Sequence, residues 1–339
     1  MRRFSAAGLI WALVIILPVV SLLSMTVGTV SISFGDLFAA DSSQAANNQV
    51  STILFDIRLP RILLAICVGA VLASTGAVMQ GLFRNPLADP SLIGVSSGAS
   101  VGASLMIVAA GGFIHSGALL GLSLVAVGAF IGGFVATLLV YRLATSGIGT
   151  SVTTMLLAGI AIAAIAGALN SLLTYFSDND MLRQISLWQM GNLSGASWTK
   201  VSIMAAVALL LLALFPKDSH ALNALLLGES EARHLGVDVQ AVKRRLILLT
   251  ALGVGVCVAL AGLVGFVGLI IPHIVRLAIG PDHRWLIPAS ALAGATLLVF
   301  ADSLARVVVV PAELPTGILT ALLGAPFFVA LLLQQRKQV

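Results

Sequence analysis

The chain has 339 residues, of which 59% are hydrophobic and only 9% charged, and its mean hydropathy of +1.09 excludes a soluble globular domain. It reads as an all-α polytopic membrane protein forming a single domain over 1–339. The net charge of +5 does not point to nucleic acid, because the basic residues stand singly between apolar runs and form no stripe.

Met1-Arg2-Arg3 precedes an apolar run over about 6–23. Its length, and the further apolar runs behind it, favour an uncleaved first helix over a secretory signal. Runs long enough to cross a bilayer fall at about 6–27, 61–83, 92–111, 117–140, 151–175, 199–215, 246–262, 264–280, 286–308 and 315–333, giving ten spans. Gly262 and Gly265 are the only punctuation between the seventh and eighth, so one long helix is the alternative there. With the N-terminus inside and ten spans, thirteen of the Lys and Arg residues fall on the cytoplasmic side, both termini included. Only Arg58, Arg61, Arg183, Lys200 and Arg306 fall outside.

The second and third spans are separated by Arg84-Asn85-Pro86-Leu87-Ala88-Asp89-Pro90, followed by the small-residue run from Gly94 to Ser100. Two prolines this close cannot continue a helix, so a fixed loop is cut into the pattern. Irregular backbone at membrane depth survives only where protein buries it or where it lines a water-filled path, which makes this loop a candidate gate. Small residues on the flanking spans (Gly69, Ala73, Gly76 and Ala77; Gly128, Gly132, Gly133 and Ala136) let helix backbones approach closely. A faint echo between spans 2–5 and 7–10 has the odd offset of an inverted repeat.

Two polar segments interrupt the later spans, at 177–199 outside and 216–245 inside. Within the second, Gly228-Glu229-Ser230-Glu231-Ala232-Arg233-His234-Leu235-Gly236 reads as a short polar helix closed by Gly236. No lysine follows a glycine as a phosphate-binding loop requires, so any ATP site belongs to another chain. Cys67 and Cys257 lie in apolar runs without metal or disulfide spacing, and the five histidines, of which only His115 faces outward, do not converge. Only Asp302 is an acid clearly within a span, four residues before Arg306, a spacing that suits a local ion pair. A proton-coupled carrier would need such an acid, and a membrane enzyme would need converging His or carboxylate groups that the spans lack. The arginines outside are a candidate docking surface for a partner's carboxylates.

Taken in order, Arg58-Leu59-Pro60-Arg61, Gly69 to Gly76 and Gln80, the Asn85-Pro86 loop with Gly94 and Gly98, Trp188-Gln189-Met190-Gly191, the Gly228–Val237 segment, Gly265 to Arg276, Glu313-Leu314-Pro315 and Gly324-Ala325-Pro326 resemble the permease subunits of the FecCD family. These are ATP-driven bacterial importers of ferric siderophores, haem and cobalamin. The resemblance runs over about 32–335. It implies the type II ABC importer (cobalamin-permease-like) fold, and a homodimer of ten-helix subunits in the bacterial inner membrane. Two ATP-binding cassette subunits would carry ATP and Mg on the cytoplasmic side, and one periplasmic substrate-binding protein would sit above.

By the same resemblance Gly228, Glu229, Glu231, Ala232, Arg233, Leu235 and Gly236 would form the coupling helix. Arg58, Arg61 and Arg306 would receive acids of the binding protein. Asn85, Pro86 and Leu87, with Gly149, Thr150 and Ser151 in the Gly147-Ile148-Gly149-Thr150-Ser151 turn, would form the cytoplasmic gate. Asn170, Ser171 and Thr174 would line the path, together with the last helix. No catalytic residue, resident metal or cofactor is implied for this chain. The small-residue run after the gate loop looks most like haem importers, so haem is the expected cargo, with ferric siderophore or cobalamin the alternatives.

Overall fold

The structure, a computed structural model, describes residues 5–28, 50–109, 118–147 and 149–336. Arg2, Arg3, His115, Ile148 and Lys337, on which the reading above drew, lie outside them. Ser5 caps α1 (Ala6–Thr26), accepting the Gly8 amide. A π-helical turn (Thr52–Arg58) runs directly into α2 (Leu59–Leu82), so this element begins well before the expected 61. A 3₁₀ turn (Pro90–Ile93) leads to α3 (Val95–Ala109), followed by α4 (Ala118–Ala144), a hairpin of β1 (Thr145–Ser146) and β2 (Gly149–Thr150), and α5 (Val152–Tyr175). The chain continues through α6 (Asn179–Gln189), α7 (Trp198–Leu214), α8 (Ser219–Leu227), α9 (Glu229–His234), α10 (Val239–Ala261), α11 (Val267–Ile279), α12 (His283–Ala305) and α13 (Thr316–Arg336).

Seven helical segments among the described residues are long and apolar enough to cross a membrane. Three shorter apolar helices, Val95–Ala109, Val267–Ile279 and Thr316–Ala330, stand at the remaining expected positions. A second boundary needs correction. The span placed at 246–262 begins at Val239, because Asp238 caps the helix by accepting the Ala241 amide. Lys243, Arg244 and Arg245 therefore stand on a helix, and the polar stretch assigned to 216–245 is two short helices plus the first turns of a third.

In lipid, helices gain little by hiding apolar surface from one another, so close backbone contact must hold the bundle. The central helix is α2, packed by α12, α11, α7 and α10. A Cβ built on Gly69 would fall 2.4 Å from the Gly294 carbonyl oxygen, and one on Gly76 only 1.8 Å from that of Gly268. Pro272 brings no amide to α11, so the carbonyl four residues back, that of Gly268, lacks its usual helical donor. It is this carbonyl that Gly76 meets. Between α3 and α4, Gly98 faces Gly132 and Gly102 faces Gly128 in the same manner. The pairings match the offset between spans 2–5 and 7–10: α2 packs on α12 as α10 packs on α4, and α3 on α4 as α11 on α12.

The apolar run over 246–280 is two helices. Gly262 (φ 69°) and Phe266 (φ 68°) take left-handed conformations that end α10 and start α11. Neighbouring backbone satisfies the end of α10, since the Asn192 amide donates to the Ala261 carbonyl. A cavity of about 390 Å³ lies between this break and the loop after α2, lined by Asp89, Pro90, Ser91, Ser96, Gly265 and Phe266 among others.

Candidate functional site

At one end of the bundle, α2 closes in a Schellman motif. The Asn85 amide reaches the Gln80 carbonyl at 3.1 Å and the Arg84 amide that of Gly81 at 3.2 Å. The left-handed position, usually glycine, is Arg84 at φ 51°, an unfavourable conformation for a branched-free but bulky side chain. Asn85 then folds the loop on itself, its Oδ1 accepting the Leu87 amide at 2.9 Å. Asp89 caps the 3₁₀ turn by accepting the Ser91 amide at 2.8 Å, and burial raises its carboxyl above the usual carboxylate range.

The second expected gate element is the β1–β2 hairpin, with Thr145 opposite Thr150 and Ser146 opposite Gly149. Ser151 caps α5, accepting the Thr154 amide. The hairpin is bound to the start of α10: Gln240 Oε1 accepts the Thr150 amide at 3.0 Å, and Lys243 Nζ donates to the Thr150 carbonyl at 2.8 Å. The same ammonium reaches Glu229 Oε1 at 2.6 Å, at the start of α9. Gly149, Thr150 and Ser151 border a cavity of about 590 Å³ together with Arg84, Glu229 and Arg233. Asn85, Pro86 and Leu87 do not line it; the loop meets it through Arg84 alone.

The α9 segment has the form expected. Gly236 (φ 82°) closes it, with its amide donating to Arg233 and the Val237 amide to Ala232. Ala232 and Gly228 are buried, Glu229 is half-buried, and Glu231, Arg233 and Leu235 are exposed. The preceding α8 is tied to the start of α12: Asn223 Nδ2 donates to Asp282 at 2.7 Å, and its Oδ1 accepts the His283 amide at 2.9 Å. The Arg284 guanidinium and the Asn223 amide hold the Asp282 carboxyl well below the usual range.

At the opposite end the expected exposure of the three arginines is corrected. Arg58, Arg61 and Arg306 are all buried, at 3–5% exposure. Arg61 Nε meets both oxygens of Asp302, at 3.0 and 2.9 Å, while its Nη1 reaches Glu313 at 2.6 Å. Arg306 binds the carbonyls of Ser24 in α1 and of Val27, its C-cap, at 3.1 and 3.0 Å, and Thr316 donates to Asp302 at 3.0 Å. The Asp302–Arg306 pair is present at 3.4 Å, but Arg61 is the closer partner of that carboxylate. A buried guanidinium needs such company, and these arginines spend theirs joining α1, α2, α12 and the start of α13.

Of the expected path residues, Ser171 and Thr174 are exposed on α5, among the exposed Leu157, Ile160, Ile165, Leu169 and Leu172. Asn170 instead turns toward α3, donating to Ser100 Oγ at 3.0 Å. Sequence reasoning missed Lys243, Gln240 and Asn223 as members of the polar clusters at the α8–α9 end of the bundle. Placing the start of α10 at 246 had put the first two in a loop; the signal was Asp238, an N-cap immediately ahead of them.

The sequence profile of the FecCD transport family matches residues 15–334. The hemin transport system permease protein HmuU of Yersinia pestis is 46% identical over 326 residues, 96% of this chain and 95% of that protein. A cobalamin import system permease protein, BtuC of Halobacterium salinarum, is 44% identical over 295 residues, 87% and 77% of the two chains. A solved structure described as a metal-chelate type ABC transporter in an inward-facing conformation matches with a TM-score of 0.84 at 35% identity, covering 97% of this chain and 99% of that one.

Proposed function

The chain belongs to the FecCD transport family, and from that premise we propose that it moves haem across the bacterial inner membrane as one of two identical subunits of an ATP-driven importer. It is a permease of the haem, metal-chelate and cobalamin class of ABC importers and no enzyme, the ATPase being a separate partner. The observation that carries haem is the 46% identity to a hemin permease along nearly the whole of both chains. Cobalamin is the second reading, supported by relatives at 44% and 43% identity.

In this reading the subunit crosses the membrane ten times, with both termini and the α8–α9 segment cytoplasmic. The grouping of Glu229, Lys243, Gln240 and Thr150 at one end, and of Arg61, Asp302 and Arg306 at the other, supports opposite exposure of those ends. Two copies would meet through the unpacked apolar faces of α5 and α13, placing Ser171 and Thr174 beside a shared path. Asn170 would stiffen that wall through Ser100. The exposed side of α9, with Glu231, Arg233 and Leu235, would enter the ATPase.

The hairpin and the Asn85 loop would form the lips of the inner mouth, with Arg84 turned into the cavity between them. Binding-protein acids could reach Arg58, Arg61 or Arg306 only by displacing internal partners, so we assign these three to holding the outer end together. A proton-coupled carrier is disfavoured, because Asp302 already carries Arg61 and Thr316. Reconstitution with the cognate ATPase and binding protein, comparing uptake of haem, a ferric siderophore and cobalamin, tests the cargo. Preferential haem uptake is expected; preferential cobalamin uptake would overturn it. Glu231→Arg, an exposed change, is expected to leave folding intact while stopping import, and undiminished co-purification of the ATPase would count against the docking role.

A further inference from the structure

Resting on the permease reading, we infer that Lys243 is the positioning residue that transmits movement of α9 to the hairpin at the inner mouth. Its side chain is 2% exposed, yet its ammonium makes two directed contacts, at 2.6 Å to Glu229 Oε1 and 2.8 Å to the Thr150 carbonyl. One of these lies on the first residue of α9 and the other on the last residue of β2. Those two elements touch the same cation from different sides, and α10 carries it.

Taking an ammonium out of water is costly unless its hydrogen bonds are replaced, so this link opposes separation of either partner. A displacement of Glu229 must therefore drag Lys243, break the pair, or pull Thr150 along. Breaking it would strand a cation inside the protein, which leaves joint movement as the cheaper course. Gln240, one turn earlier on α10, fixes the direction of that movement by holding the Thr150 amide while Lys243 holds its carbonyl. The two peptide groups that flank Thr150 are thus held by the same helix, one through its N–H and the other through its carbonyl. Gly149 helps: at φ 126° it carries no side chain where a Cβ would lie 2.4 Å from Gln240 Nε2.

A connection of this kind differs from structural glue in what its loss does. Without Lys243, α9 can still enter the ATPase and hydrolysis can still proceed, but the hairpin no longer follows. The test uses the complete complex of the permease with its ATPase and binding protein in liposomes. Lys243→Met keeps the stem and removes the charge. Expected are an assembled complex that hydrolyses ATP, import reduced about tenfold or more, and ATP consumed per cargo raised in proportion. Spin labels at Gly147 and Leu87, placed in a variant lacking Cys67 and Cys257, should lose their nucleotide-dependent change in distance.

Glu229→Gln serves as a second variant should the first fail to fold, since an amide oxygen still accepts from Lys243 while the ion pair is lost. It should show a smaller loss in the same ratio. Combined with Lys243→Met it should cost nothing further, because both act on one link. Import by the Met variant at the unaltered rate, or an unchanged label response, would overturn the inference while leaving the permease reading intact. A parallel fall in import, hydrolysis and melting temperature would also overturn it, by making Lys243 purely structural. Failure of the unaltered complex to import any of the three cargoes would instead overturn the transport reading on which it rests.

Discussion

A Gly76→Ala protein should lose the native bundle: in detergent it is expected to melt far below the parent or to elute as aggregate. The added methyl would sit 1.8 Å from the Gly268 oxygen and 2.6 Å from its carbon, both backbone atoms that no rotamer change can move. Relief requires α2 and α11 to part by more than an ångström. Neither is free to do so, because α2 is also locked at Gly69 against Gly294, and α11 starts at a break against whose Leu263 carbonyl Gly191 and Gly317 both pack closely. Overpacking a rigid site typically costs about 1–3 kcal/mol and more where backbone must shift. Here the upper end or beyond is expected. Gly265→Ala is the control, since no atom lies within 4 Å of a Cβ there, and its effect should stay within about 0.5 kcal/mol. Melting temperatures by fluorescence-detected size exclusion compare the two. A Gly76→Ala protein as stable as the control would mean that the helices do not touch as described.

Asp302→Leu is expected to cost about 3–5 kcal/mol, the range for removing one partner of a buried pair and leaving its charge behind. Two guanidinium groups lose a ligand at once, Arg61 its bidentate acceptor and Arg306 its neighbour one turn away. Asp302→Asn should be milder, since its amide oxygen still accepts from Arg61 or Thr316. Adding Arg61→Met to Asp302→Leu should recover part of the melting temperature, because an apolar pair of similar size tolerates burial better than an unmatched cation. The double variant also separates two roles for this acid. If its folding recovers and import returns with it, Asp302 is structural. Should folding recover while import stays absent although the ATPase still turns over, a transport role for the carboxylate would stand.

Much of this architecture was legible in the sequence because a bilayer imposes a length on every apolar run. The Gly262–Gly265 punctuation was sufficient to divide 246–280, and the basic-residue balance argued for dividing it. The small residues of α2 and α4 marked backbone contacts correctly, although not which helix each would meet. The burial of Arg58, Arg61 and Arg306 was not legible for a physical reason. An isolated guanidinium in sequence looks like a surface group, and only folding brings Asp302 and Glu313 from the far end of the chain to meet Arg61. The Glu229–Lys243–Gln240 cluster was hidden by a single N-cap. Once Asp238 is seen to start α10, Gln240 and Lys243, three residues apart, fall on one face of the helix, where both meet Thr150.

The glycine contacts also bear on how the protein is made. Those between α3 and α4 join consecutive helices and can close as soon as both have left the ribosome. The partners of Gly69 and Gly76, by contrast, lie on α12 and α11, in the last part of the chain to be synthesised. During biogenesis α2 must wait in the membrane with its narrow glycine face open to lipid or to an insertion factor, and Arg61 must wait without Asp302. Nascent chains stopped before residue 267 should therefore hold α2 in a protease- and crosslinker-accessible state that closes only when α11 and α12 arrive.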